Sequence, residues 1–188
     1  MKKILIFSLT YYPDNVSGSD GAIKEITDRI DSSDIEFHMV TLRFNSSLLK
    51  LEQYGKVLVH RIGIAKKNPT MEDYGKFPLN LNKPLYQFYA VLKACQLNRK
   101  YHYDAIWAMM AHSAGVPAAV FKMLYPKKGY VLTLQEGKTP EYIEKKLKIK
   151  TSIANPWSKI IYPLNLKKTL EELGPRFSVA VGAAMREN

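Results

Sequence analysis

Candidate binding residues in this sequence follow three short apolar runs, at residues 4–7, 105–109 and 130–134. Backbone amides, hydroxyls, carboxylates and imidazoles of this kind can hydrogen-bond hydroxyl groups or phosphates. In open α/β sheets, ligands bind at the carboxyl ends of the strands. We therefore predict one substrate-binding rim that is made of Gly18, Ser19, Asp20, His112, Ser113, Gln135, Glu136 and Gly137.

The loop at residues 11–21 is the first of these segments. Pro13 and two glycines allow sharp turns, and Ser19 or Asp20 is placed to cap the helix predicted at residues 22–30. The start of that helix offers N–H groups to an anion or a hydroxyl. The glycine spacing is not the G-x-G-x-x-G of dinucleotide-binding loops. A simple capped turn between strand and helix accounts for the same residues equally well.

His112 and Glu136 are the candidate catalytic residues. His112 precedes a helix predicted from about residue 113, so its imidazole either contacts a hydroxyl or phosphate or simply caps that helix. Glu136 is the carboxylate best placed at a strand end, although the sequence identifies no second carboxylate as its partner. The four histidines lack the spacing of zinc ligands, so no metal is expected.

A parallel sheet is needed to bring these residues together. Apolar runs alternate with helical patterns along the first part of the chain, which predicts an α/β fold with a doubly wound parallel sheet and helices on both faces. The predicted strand order is 3-2-1-4-5. The five runs are residues 4–7, 35–42, 57–62, 105–109 and 130–134.

The segments between these strands carry further expectations. Residues 65–81 are predicted to form a long loop, and Pro84 to begin a helix. His60 is interpreted as a residue on a strand face rather than a ligand. One stripe of the helix after Pro84 is predicted to pack on the core, and it comprises Leu85, Phe88, Tyr89, Leu92, Cys95 and Gln96.

Length and composition narrow the class of protein. A chain of 188 residues can bury one good core, and 46% hydrophobic with 24% charged residues is typical of a globular protein. Cys95 is the only cysteine, so no internal disulfide forms, and its apolar setting argues against a nucleophilic role. No apolar run is long enough to cross a bilayer, and the short run at the start does not fit a signal peptide. A cytoplasmic location is therefore expected.

The formal net charge of +11 points to an anionic partner. Lysines and arginines cluster at residues 66–67, 99–100, 127–128 and 145–150, with tyrosines nearby. No nucleic-acid-binding motif is present, so nucleic acid is not expected as a partner. Two interpretations stay open: a basic face that meets anionic lipid head groups at the inner side of a membrane, or solvated lysines that serve only solubility.

Three segments resemble the N-terminal domain of a family 4 glycosyltransferase of the GT-B fold. They are the Tyr-Tyr-Pro loop with its helix at 11–26, the Asp-hydrophobic strand and loop at 103–115, and the strand and loop at 130–137. The resemblance covers residues 1–148 and implies a Rossmann-like, acceptor-side domain. Two positions depart from the family pattern: Ser17 stands where a first glycine is usual, and Gln135 and Glu136 lie where many relatives have histidine.

The resemblance also implies a reaction. A retaining enzyme of this family moves a hexose from a nucleotide sugar, its co-substrate, to a hydroxyl of a lipid-linked or polysaccharide acceptor, with no covalently bound cofactor. The backbone of Gly18 to Asp20 would border the donor phosphates, while His112, Gln135 and Glu136 would line the acceptor side. Residues after 148 are too few for a second Rossmann-like domain, so the chain is expected to be half of such an enzyme and inactive alone.

Residues 149–188 are predicted to form a short irregular or helical tail. Residues 153–158 and 173–186 resemble the C-terminal end of the actin-like ATPase of type IV pilus assembly. A helix is predicted at 166–173, and residues 177–185 fit either a helix or a strand. The tail makes a fused or chimeric chain an open interpretation, and a non-enzymatic binding or pilus-assembly module is the alternative function.

Overall fold

The computed structural model describes residues 1–133 except 15, 16 and 32, together with residues 145 and 166. The described fold belongs to the first compact unit of the chain. Predictions made for residues 134–144, for the boundary at 148 and for the tail lie outside the described residues. They therefore stay predictions, and among them are the site residues Gln135, Glu136 and Gly137.

A single sheet organises the described part of the chain. The strands are β1 (Lys2–Phe7), β2 (Ile35–Leu42), β3 (Leu51–Tyr54), β4 (Val57–Ile62), β5 (Ala105–Met109) and β6 (Gly129–Thr133). Their order in the sheet is β3-β4-β2-β1-β5-β6, and β4, β2, β1, β5 and β6 run parallel to one another. The α/β class and the predicted order 3-2-1-4-5 are confirmed for these five strands.

The edge of the sheet corrects the prediction of a wholly parallel arrangement. β3 pairs antiparallel with β4, and Tyr54 lies opposite Val57 across a two-residue turn. Gly55 occupies the first turn position with φ +57°, a conformation that glycine adopts without steric cost. The strand is short, and its exposed and half-buried residues alternate. It therefore lacks the continuous apolar run by which the parallel strands were predicted.

Within the described residues, three α-helices accompany the sheet: α1 (Gly18–Arg29), α2 (Asn82–Tyr101) and α3 (Val116–Leu124). Short 3-10 helices span Met71–Gly75 and Leu79–Leu81 within the predicted long loop. One π-helix, Met110–Gly115, joins β5 to α3. No helix in the described ranges is both long and apolar enough to cross a membrane.

The core has two layers, because alternate residues of each central strand point to opposite faces. Leu5 and Phe7 of β1 pack with residues of α2 and α3 on one face, including Phe121. Ile6 of β1 packs on the other face with Ile23 of α1. This arrangement is the predicted sheet with helices on both faces, and it leaves the carboxyl ends of the strands to the loops.

The predicted core stripe of α2 is wrong. The buried residues of this helix include Tyr86, Ala90, Ala94 and Leu97, whereas Phe88 is 63% exposed and Leu92 is 52% exposed. The buried positions recur every three or four residues and form one helix face. Small alanines let this face lie close to the sheet, so the larger apolar side chains face outward. Cys95 is partly buried against the core, as predicted.

Candidate functional site

The loops after β1 and β5 meet at one edge of the sheet. β1 pairs with β5, and Phe7 lies opposite Ala108 near the ends of both strands. From β1 the chain continues to β2 on one side and later returns to β5 on the other side. The edge between β1 and β5 is therefore the topological switch point of the sheet, where ligands of open α/β folds bind.

Asp20 holds the loop after β1 in place. Its Oδ2 accepts hydrogen bonds from the backbone N–H of Ser17 at 2.9 Å, from Ser17 Oγ at 2.8 Å and from Thr10 Oγ1 at 3.1 Å. The helix cap is Ser17, which forms a capping box with Asp20, so the expectation that Ser19 or Asp20 is itself the cap is wrong. Ser19 Oγ instead forms a hydrogen bond of 2.6 Å with Ser17 Oγ.

One oxygen of the Asp20 carboxylate makes no hydrogen bond within the described fold. The residue is fully buried, and its Oδ1 has no hydrogen-bond partner among the described residues. A buried polar atom without a partner is costly, and such atoms often mark a place for a water or a ligand group. This oxygen lies in the first turn of α1, where the N–H groups of Gly18 and Ser19 have no carbonyl partner within the helix.

Gly18 is exposed at the start of α1. A Cβ atom built there would meet nothing within 4 Å, and the backbone is not left-handed. Neither packing nor conformation therefore requires a glycine at this position. Its missing side chain leaves the backbone open to close approach by another molecule.

Arg61 of β4 anchors the same loop and was missed by the sequence analysis. Its Nη2 donates to the carbonyl oxygen of Tyr12 at 2.8 Å, and its Nη1 lies 2.6 Å from Glu52 Oε2 of β3. The rings of Tyr12 and Tyr54 stack at 5.2 Å. A charged residue inside an otherwise apolar strand was the sequence signal that could have revealed this anchor.

The loop after β5 has an irregular backbone. Met110 has φ +71°, which is uncommon for any residue except glycine, and it begins the π-helix. Both features occur often at functional sites. His112 is exposed on this turn, and the carbonyl oxygen of Ser113 accepts a hydrogen bond from Gln87 Nε2 at 3.0 Å. The structure thus brings His112 and Ser113 to the same sheet edge as Gly18 and Asp20.

The π-helix packs closely on the neighbouring strand. A Cβ atom at Gly115 would lie 3.3 Å from Leu132 Cδ1 and 3.3 Å from the carbonyl oxygen of Met110. This glycine therefore permits the tight turn that presents His112. In the described ranges no group of three or more His, Cys, Asp or Glu side chains is arranged to hold a metal ion.

A second concave feature lies away from the predicted rim. A groove of about 1080 Å³ runs between α2 and the strands β3 and β4. The cavity beside the β1 loop is far smaller, about 10 Å³, and is lined in part by Thr10 and Tyr11. The groove was not predicted, because the helix stripe that borders it had been assigned to the core.

The comparisons with known proteins do not identify a family for this chain. No protein-family model matches the sequence, and no curated protein sequence matches it. Among solved structures, the chain is similar to a sucrose-phosphate synthase from Thermosynechococcus elongatus, with a TM-score of 0.48 and 10% sequence identity over 92% of this chain. The chain covers 39% of that structure. A likeness of this size does not establish a shared function, and the fold class follows from the sheet topology itself.

Proposed function

We propose that the rim between β1 and β5 binds a nucleotide sugar and its acceptor, and that the chain acts in hexose transfer to a lipid-linked or polysaccharide acceptor. The observation that carries the proposal is the meeting of two specialised loops at the switch point. One loop leads to exposed Gly18 and to the buried carboxylate of Asp20, whose Oδ1 has no hydrogen-bond partner among the described residues. The other loop presents His112 from a π-helix whose first residue, Met110, has a left-handed backbone conformation.

Each part of the rim has a role in this proposal. The N–H groups of Gly18 and Ser19 bind the donor diphosphate, because the first turn of a helix attracts anions. Asp20 positions that turn through its bonds to Ser17 and Thr10. His112 contacts the acceptor hydroxyl or the departing phosphate, together with Gln135 and Glu136.

The catalytic contribution we propose is positioning and electrostatic stabilisation of the departing diphosphate. The nucleotide sugar is the co-substrate, and no bound cofactor takes part in the proposed reaction. An anionic membrane surface is proposed as a further partner of the basic face, with the chain on the cytoplasmic side.

Gly18→Val tests this proposal directly. A Cβ atom at this position meets nothing within 4 Å, so we expect the midpoint of unfolding to stay unchanged. Binding of UDP-glucose or GDP-mannose, measured by calorimetry, should weaken by about tenfold or more, because the branched side chain covers the backbone amides. Release of nucleoside diphosphate with acceptor present reports whether transfer itself occurs.

Gly75→Val is the matched control. Gly75 is also exposed, and a Cβ atom there also meets nothing within 4 Å, but it lies in the 3-10 helix Met71–Gly75. Its substitution should leave sugar-nucleotide binding unchanged. If no nucleotide sugar binds saturably to the wild-type chain, or if both variants bind equally well, the proposed site is wrong.

The second candidate function is a non-enzymatic binding module. The observation in its favour is the large groove beside α2, where Lys93 and Lys100 form no ion pair with any described residue. This function would be favoured if the chain bound another ligand saturably but neither bound a nucleotide sugar nor released a nucleoside diphosphate. The tail that first suggested it lies outside the described residues.

A further inference from the structure

The groove beside α2 lies over the outer strands β3 and β4, on the face of the sheet that carries α2 and α3. α2 borders the outer strands from one side only. The groove of about 1080 Å³ is of the size that binds small molecules.

The helical wall of the groove changes polarity along its length. Leu85, Tyr89 and Leu92 line its first half, and Lys93, Gln96 and Lys100 line its second half. These positions are three or four residues apart or adjacent, so they form one side of α2. Tyr89 is 46% exposed and Leu92 is 52% exposed, so neighbouring apolar side chains face the open groove. The groove therefore has an apolar end and a cationic end.

The cationic end carries charge that the fold does not neutralise. Lys93 Nζ donates to the neutral amide oxygen of Gln96 at 3.1 Å, and Lys100 Nζ lies 4.9 Å from the centre of the Tyr101 ring. Neither lysine forms an ion pair with any described residue. Arg61 differs, because its guanidinium is paired with Glu52. Uncompensated positive charge inside a groove favours an anionic occupant.

His60 supplies a second, independent sign of a ligand. It lines the groove and is 5% exposed, and its Nε2 has no hydrogen-bond partner among the described residues. Burial, followed by charge repulsion from His38, Lys93 and Lys100, lowers the pKa of His60 to about 4. The imidazole is therefore neutral, and its free nitrogen can donate to an anionic oxygen.

We propose that this groove binds an anionic amphiphile with a single apolar chain. The phosphate of such a molecule lies between Lys93, Lys100 and His60, and donation from His60 Nε2 satisfies the buried nitrogen. The chain lies along Leu92 and Leu85, where it covers apolar surface that is otherwise exposed to water. The groove is distinct from the β1–β5 rim, so the inference does not depend on sugar transfer.

Titration of the full 188-residue chain with dodecyl phosphate, below its critical micelle concentration, tests the proposal. Calorimetry should show one saturable site, and NMR of the histidine side chains should show a shift of the His60 Nε2 resonance on binding. Inorganic phosphate and dodecyl maltoside should each bind at least about tenfold more weakly than dodecyl phosphate. Inorganic phosphate lacks the apolar chain, and dodecyl maltoside lacks the anionic group. Equal binding of either compound would overturn the proposal.

Charge reversal locates the site. Lys93→Glu combined with Lys100→Glu should weaken dodecyl phosphate binding by about tenfold or more, since both cations face the phosphate. Lys67→Glu combined with Lys127→Glu is the control, because both residues are exposed and the change in net charge is the same. If the two double variants bind equally, the anion does not lie in the groove and the proposal is wrong.

A third pair of variants tests the apolar end. Leu92→Asp should weaken binding, whereas Leu124→Asp on α3, where the leucine is 58% exposed, should not. All of these substitutions change exposed or half-exposed side chains, so folding should be preserved. Unchanged binding in Leu92→Asp would show that the chain of the ligand does not occupy the groove and would overturn that assignment.

Discussion

Nη2 of Arg61 donates a hydrogen bond to the carbonyl oxygen of Tyr12 at 2.8 Å, and this bond ties β4 to the loop that follows β1. The side chain of Arg61 is 1% exposed, and Glu52 of β3 balances its charge. The edge strand β3 therefore contributes to the candidate site as well as to the sheet. It supplies the carboxylate that lets a buried guanidinium hold one loop of the candidate site.

Arg61→Met should destabilise the fold and loosen this loop. The substitution removes the ion pair with Glu52 and the bond to Tyr12, and we expect a loss of about 3 kcal/mol in the free energy of unfolding. Urea denaturation measures that loss. Hydrogen exchange at residues 10–14 should accelerate more than exchange in the central strand β1, because the loop loses its anchor.

Arg29→Met is the control for the arginine substitution. Arg29 pairs with Glu25 on the surface of α1, where the two side chains are 45% and 62% exposed. Surface pairs contribute little, so we expect a change below about 0.5 kcal/mol. Equal effects of the two substitutions would show that the Arg61 network does not stabilise the loop.

Gly63→Ala should be strongly destabilising. Gly63 has φ +105°, and a Cβ atom there would lie 2.6 Å from Asn82 Oδ1. That oxygen accepts from the backbone N–H of Ile64 at 2.7 Å, so it cannot move away without losing the bond. We expect a loss of about 3 kcal/mol by thermal or urea unfolding, from backbone strain and the clash together.

Gly18→Ala serves as the comparison for Gly63. The position has open space and an ordinary backbone, so stability should change by less than about 0.5 kcal/mol. A similar loss at both positions would mean that the loop after β1 is more tightly packed than its geometry indicates.

The parallel strands could be predicted because a short stretch of sequence is enough to identify each one. Strands buried on both faces form continuous apolar runs, and the run in β1 at residues 4–7 is buried from Leu5 to Phe7. The alternation of such runs with helices specifies a doubly wound sheet and hence the rim between β1 and β5. The positions of His112 and Asp20 at that edge follow from topology alone.

The groove could not be predicted, because it depends on which face of α2 meets the sheet. The sequence offers two apolar stripes on this helix, one with Tyr86 and Ala90 and one with Tyr89 and Leu92. Side-chain size favoured the second stripe, whereas close packing of the helix on the sheet selected the first. Tertiary contacts decided between them, and no periodicity in one sequence records such contacts.

Tyr86→Phe tests the contact that selects this face. The hydroxyl of Tyr86 is buried, and its single proton is shared between the carbonyl oxygens of Val40 at 2.9 Å and Ser8 at 3.0 Å. Removal of the hydroxyl leaves both buried acceptors without this donor, so we expect a loss of about 1–2 kcal/mol in the free energy of unfolding. Tyr89→Phe on the same helix changes an exposed residue and should cost almost nothing.

The stability of the fold should fall as the pH drops from about 6.5 to about 4, because of His60. The pKa of His60 is about 4 in the folded chain, below its ordinary value of 6.5, chiefly because the imidazole is buried. Between these two values the unfolded chain binds a proton that the folded chain does not. The contribution of neutral His60 is therefore complete above pH 6.5 and declines with acidification by up to about 1.4 kcal/mol per pH unit.

His60→Leu should flatten this dependence, since leucine keeps the position apolar and cannot bind a proton. Urea unfolding at several pH values between 5 and 7 measures the slope in both chains. Some dependence should remain, because burial also lowers the pKa of His38, which bonds Tyr103 and Glu36. If His60→Leu and the wild-type chain show the same slope, His60 takes up its proton over the same pH range in the folded and unfolded chains, and the fold does not hold it neutral as the groove requires.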